Sequence, residues 1–69
     1  NLKNANLSEA QMHQTNLSKA NLERAYLYNV NLYGTKLVGA NLSRANLSQV
    51  NLSLQVELSG ANLSGANLS

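Results

Sequence analysis

At 69 residues the chain has room for one small domain, and an ordinary globule of that size would bury only a thin core. It contains no Cys, which excludes disulfides, thiolate metal ligands and a Cys nucleophile. Five Lys and Arg against three Glu leave a net charge of +2, too small and too scattered to argue for a nucleic-acid partner.

No apolar run approaches the roughly 18 residues that cross a bilayer, and no charged-then-apolar leader opens the chain. We therefore expect no membrane insertion by this segment and favour a cytoplasmic location. The chain starts at Asn1 and stops at Ser69 in mid-repeat, so we expect it to be a piece of something longer.

Along the chain, Leu2, Leu7, Met12, Leu17, Leu22, Leu27, Leu32, Leu37, Leu42, Leu47 and Leu52 recur every five residues. After one slip the series resumes at Leu58, Leu63 and Leu68. Two positions before each stands a small or β-branched residue, from Ala5 and Ala10 through Val30 and Thr35 to Ala61 and Ala66. The residue before each Leu is usually Asn, and the residue after it is often Ser.

A period of five fits neither regular element. On a helix, five residues turn the chain by about 500°, so successive Leu side chains form no stripe. On one straight strand, an odd period sends alternate Leu residues to opposite faces. The pattern becomes consistent if the chain bends once in every repeat. The Leu and the small residue two before it then share the inward side of a short extended segment, and the other three positions face water.

The tandem pattern Ala-(Asn/Asp)-Leu-x-x, as in Ala40-Asn41-Leu42-Ser43-Arg44 and Ala45-Asn46-Leu47-Ser48-Gln49, resembles the pentapeptide-repeat family over essentially the whole chain. The resemblance implies an all-β fold, a right-handed quadrilateral parallel β-helix (β-solenoid) with four pentapeptides per coil and about three and a half coils. It also implies a bacterial source, with the cyanobacteria as the expected group.

Sorting the small positions by twenty residues tests the four-repeat coil. Ala20, Ala40 and Ala61 form one column, and Ala5, Ala25, Ala45 and Ala66 another. The remaining two are Ala10, Val30 and Val50, and Thr15, Thr35 and Val56. This segregation supports twenty residues per turn, and twenty-one across the slip. We expect one domain, 1–69, with a one-residue bulge near 54–55, where Leu54 or Gln55 is extra. Leu54 is then either an ordinary exposed apolar residue or a contact for a partner. Gly34, Gly39, Gly60 and Gly65 close their repeats, where a corner needs positive φ.

Seven Asn residues, among them Asn6, Asn41 and Asn62, match the glycosylation pattern Asn-x-Ser. The matches follow from the repeat, and argue mildly against a glycosylating secretory route. Local hydrogen bonding at the bends is the expected role of Asn and Ser.

For catalysis the inventory is poor. His13 is the single histidine, placed by the coil outward, one coil from Tyr33 and two from Ser53, with no carboxylate in its column. Glu23 should pair with Lys3 one coil away, and Glu57 with Lys36. We expect no catalytic residues, no metal site, no cofactor and no small-molecule substrate.

One region is less uniform. Tyr26 and Tyr28 flank Leu27, Tyr33 follows past the next corner, and Arg24 and Arg44 stack near the adjacent edge. Arg and aromatic residues are enriched at interaction hot spots, which makes these five the candidate contact patch. The alternative is that the Tyr residues merely support stacked rungs and the Arg side chains are solvated. Two functions are weighed. The first is a non-enzymatic scaffold, a protein-interaction platform or rigid spacer in a larger protein. The second, implied by the family resemblance alone, is a DNA mimic that engages a type II topoisomerase. It is disfavoured because mimicry of phosphates demands an acidic surface. Uncapped coil ends suggest end-to-end self-association or cover by flanking sequence.

Overall fold

A computed structural model describes residues 1–52 and 55–69. Each repeat is a short extended stretch followed by a tight turn. The amide of the next small residue closes the turn onto the Leu carbonyl, as in Ala5 to Leu2 at 3.0 Å and Ala45 to Leu42 at 3.0 Å. The third residue of each turn has positive φ, for example Asn4 at 64°, Arg24 and Arg44 at 59° and Gly65 at 69°. A closing bond with positive φ at the third position defines a type II turn, which favours Gly or Asn there. Gly34 meets this demand at φ 68°, and a Cβ on it would lie 3.0 Å from the Gln14 side chain in the neighbouring rung.

The repeats then stack. Parallel bridges join Asn6 to Tyr26, Tyr26 to Asn46, Gln11 to Asn31, Asn16 to Lys36 and Asn21 to Asn41, each twenty residues apart. Past the slip the spacing becomes twenty-one, in the bridges Lys36 to Glu57, Asn41 to Asn62 and Asn46 to Asn67. The register read from the small-residue columns is therefore the register of the ladder. Gln55 has φ 61° directly before Val56, the place that the turn residue holds in the other repeats. The assignment of the extra residue to Leu54, and its reading as an exposed contact, lie outside the described residues.

Four turns fall in each twenty-residue period, so the repeats form four stacks. The first holds Leu2, Leu22, Leu42 and Leu63, and the second Leu7, Leu27, Leu47 and Leu68. Met12, Leu32 and Leu52 make the third, and Leu17, Leu37 and Leu58 the fourth.

The repeat Ala40 to Arg44 shows why five residues suffice. Ala40 N–H closes the previous turn on Leu37, and Asn41 N–H donates to Ala20 in one neighbouring rung at 2.9 Å. Leu42 and Arg44 donate to Asn62 and Ser64 in the other, at 2.7 and 2.8 Å. One amide remains, that of Ser43, and the Asn41 side chain accepts it at 3.0 Å. Every N–H in the unit thus has an acceptor, as buried backbone requires.

The small residue and the Leu of each repeat point inward. Leu22, Ala25, Leu27, Val30, Leu32, Leu37, Ala40, Leu42, Ala45 and Leu47 form the buried core, all in the middle of the column. Thr35 is the one buried polar residue among those described, and its hydroxyl donates to the Met12 carbonyl. Val56, which follows Thr35 in the same column, has the same branched shape without the hydroxyl. Towards the two ends, Leu2, Leu7, Met12 and Leu17 on one side and Leu52, Leu58 and Leu63 on the other are only partly buried.

This gradient has an energetic consequence. Leu42 is fully buried and Leu68 is 52% exposed. Leu42→Ala should destabilise by about 2 to 5 kcal/mol through lost transfer energy and a residual cavity. Leu68→Ala should cost well under about 1 kcal/mol. Urea unfolding of the two variants checks the contrast, and equal losses would contradict a core centred on the middle rungs.

Candidate functional site

The three outward positions of each repeat carry whatever recognition the chain performs. The position before Leu has a structural job. When it is Asn, its Oδ1 accepts the amide two residues on, as in Asn6 to Ser8 at 3.1 Å, Asn21 to Glu23 at 3.1 Å, Asn46 to Ser48 at 3.0 Å and Asn62 to Ser64 at 3.0 Å. The expected local role of Asn at the bends is what these bonds perform, an Asx turn nested on each corner.

Four positions break the rule, namely Gln11, Tyr26, Lys36 and Glu57. Gln11 gains a bond of its own, its Oε1 accepting from Asn31 Nδ2 at 3.3 Å, and Lys36 and Glu57 sit opposite each other across a backbone bridge. Tyr26 has neither. It lies between Asn6 and Asn46 in its stack, is 54% exposed, and leaves the Tyr28 amide without the side-chain acceptor its neighbours enjoy.

Around it the candidate residues divide. Tyr28, also exposed, belongs to the same repeat on the far side of buried Leu27. Arg24 and Arg44 occupy one turn column in adjacent rungs, their amides donating to Ser43 and Ser64 at 2.9 and 2.8 Å. Tyr33 is separate. It sits in the third stack, where its ring meets His13 edge-on, centroids 6.3 Å apart at 89°.

His13 is exposed as expected, but Asn31 adds a link that the sequence reading missed. Asn31 Oδ1 accepts the Tyr33 amide at 3.1 Å, which orients its Nδ2 towards His13 Nε2 at 2.8 Å. The twenty-residue offset puts Gln11 and His13 beside Asn31 and Tyr33, so the signal was present in the columns. The second expected neighbour of His13, Ser53, lies outside the described residues.

Charges are sparse. Lys3 Nζ approaches Glu23 at 3.7 Å, the expected pair, and Arg24 reaches the same carboxylate at 3.9 Å. Lys36 and Glu57 do not close to ion-pair distance, although their backbones bridge. Both are exposed, and an exposed pair gains too little to hold two long side chains together. Among the described residues no His, Cys, Asp and Glu cluster could hold a metal ion.

The family sequence model for pentapeptide repeats matches residues 1–32, 25–53 and 55–69, with eight copies. The chain belongs to the pentapeptide repeat family. Among solved structures it is similar to the pentapeptide repeat protein Rfr23 from the cyanobacterium Cyanothece 51142, at 38% identity and a TM-score of 0.88. The match covers 93% of this chain and 44% of Rfr23, so the chain spans less than half the length of that relative. A pentapeptide repeat protein from the Arabidopsis thaliana thylakoid lumen is 26% identical over 100% of this chain and 54% of its own, with a TM-score of 0.48. HetL from Nostoc sp. strain PCC 7120, involved in heterocyst differentiation regulation, is 32% identical over 94% of this chain and 35% of its own, with a TM-score of 0.43. No curated protein matches the chain.

The rule and its exception make opposite predictions. Asn41→Ala removes the acceptor of the Ser43 amide and should cost about 1 kcal/mol. Tyr26→Asn supplies the missing acceptor and should raise stability by about 0.5 to 1 kcal/mol. Paired urea titrations decide it, and a destabilising Tyr26→Asn would show that the tyrosine supports the fold.

Proposed function

We propose that the chain is a non-enzymatic scaffold module whose surface at Arg24, Tyr26, Tyr28 and Arg44, with Tyr33 past the next turn, contacts a protein partner. The column is read as a right-handed quadrilateral β-helix of about three and a half coils, a rigid support that holds these side chains at fixed spacing. The observation that carries the reading is Tyr26, a large exposed aromatic in a slot that the fold fills with Asn to its own advantage. Where a residue breaks a local rule without local compensation, function is the usual reason. The DNA-mimic reading has less support, because a net charge of +2 and two clustered Arg side chains oppose the imitation of phosphate rows.

The same architecture supports end-to-end association of a polypeptide of these 69 residues. Parallel rungs leave donors on one end face that match acceptors on the other, so a second copy continues the ladder head to tail. The partly buried Leu residues at both ends gain cover in that arrangement. Sedimentation velocity should show assembly growing with concentration, and a monomer throughout would refute it.

The contact reading is tested with a photo-crosslinking residue placed at Tyr28 or, as control, at Ser18 in the fourth stack. Protein adducts in cells should form preferentially from position 28. Equal yields from both positions would remove the patch from consideration.

A further inference from the structure

The contact patch can be given a partner chemistry, an inference that rests on the reading of that patch as a protein-binding surface. We infer that the Arg24 and Arg44 column, flanked by Tyr26, takes a short acidic peptide segment in extended conformation.

The two Arg residues are turn residues of the same column, both at φ 59°, in rungs joined by backbone hydrogen bonds. Neighbouring rungs lie roughly 4.8 Å apart. Two Arg side chains carried by adjacent rungs present like charge on one edge, which carboxylates beside them would offset. The chain supplies little. Glu23 is shared between Lys3 at 3.7 Å and Arg24 at 3.9 Å, and among the described residues no carboxylate comes within ion-pair distance of Arg44. The turn residues before the two Arg continue from Glu23 to Ser43 and Ser64, which are neutral. Glu9 stands at the turn column on the other side of Tyr28, and Glu57 belongs to the fourth stack.

An extended peptide places alternate side chains on one side, roughly 6.6 to 6.8 Å apart. Two carboxylates at that spacing are within reach of the two long Arg side chains, one of which, Arg24, is 48% exposed. Arg binds carboxylates as a planar fork, with more directionality than Lys would give. Tyr26 lies two residues along the strand from Arg24 and offers a ring to an apolar side chain beside the carboxylates. The surface suits a peptide better than a nucleic acid. Lys3 stands beside Arg24 but shares the Glu23 carboxylate with it, and Lys19 and Lys36 belong to the fourth stack and its turn, so the patch meets three phosphates at most, where a polyelectrolyte partner needs a continuous row.

The test is fluorescence anisotropy with a labelled peptide alternating Glu and Leu, a Gln-for-Glu version, and single-stranded oligothymidylate as the nucleic-acid arm. The Glu peptide should bind, the Gln peptide should not, and affinity should fall steeply between about 0.05 and 0.3 M salt. Arg44→Gln, at an exposed turn position, should weaken binding by roughly fivefold or more with the circular dichroism spectrum unchanged, while Tyr26→Ala weakens it at all salt concentrations. Equal binding by the Arg44→Gln variant, or preferential binding of the oligothymidylate, overturns the inference. Selective crosslinking from position 28 without any binding of the Glu peptide also overturns it, and leaves the protein-contact reading in place.

Discussion

The structure depends on one constraint, that backbone amides must find acceptors in a chain that bends every fifth residue. A regular strand satisfies its amides along its length, but a stretch this short between turns cannot. The solution divides the five amides among three sources. Three go to neighbouring rungs, one closes the turn, and the last is taken by the Asn side chain two residues earlier. Stacking is therefore the source of the fold, with each rung completing the next, and the hydrophobic core follows because the same geometry points Leu and its small companion inward.

From this constraint the sequence pattern acquires causes. Leu recurs because the interior is a column of equal layers, and Ala, Val or Thr precedes it because little room remains beside the stacked Leu residues. Asn recurs as an acceptor, which also disposes of its resemblance to glycosylation sites. The turn residue is the costly place. Arg24, Arg44, Lys19 and Gln49 hold φ between 59° and 65°, a conformation that costs an ordinary residue roughly 1 to 2 kcal/mol. The ladder on both sides of each turn holds them there.

How much could be read beforehand follows from the same logic. The five-residue period, the inward pair and the twenty-residue register were legible because each is written in side chains that repeat, and the shift to twenty-one was legible in the spacing of Leu52 and Leu58. The surface was less so. Lys36 and Glu57 face each other as expected yet stay apart, because pairing there depends on the entropy of two exposed side chains and not on register. Tyr33 was legible as lying past the next corner from Tyr28 and one coil from His13, and its ring meets His13 edge-on there. The positive φ at Arg24 and Arg44 was legible only through the Gly residues that close other repeats, Gly65 in the same column among them, because Arg itself carries no such signal.

A repeat of this kind offers an unusual way to look for function. In most folds a surface residue has no reference against which to judge it, whereas here each outward slot has a known structural optimum shown by its neighbours in the stack. Asn6, Asn46 and Asn67 define that optimum in the stack of Tyr26, and each accepts a backbone amide that Tyr26 cannot. The departure at Gln11 is offset by a new hydrogen bond, and Lys36 and Glu57 bridge each other through the backbone without closing an ion pair. Tyr26 forfeits that bond without gaining another and exposes an aromatic ring, in the repeat that follows Arg24. A residue that gives up a backbone bond its stack neighbours make lacks the stabilising role of that slot, and this is the observation on which the proposed contact rests.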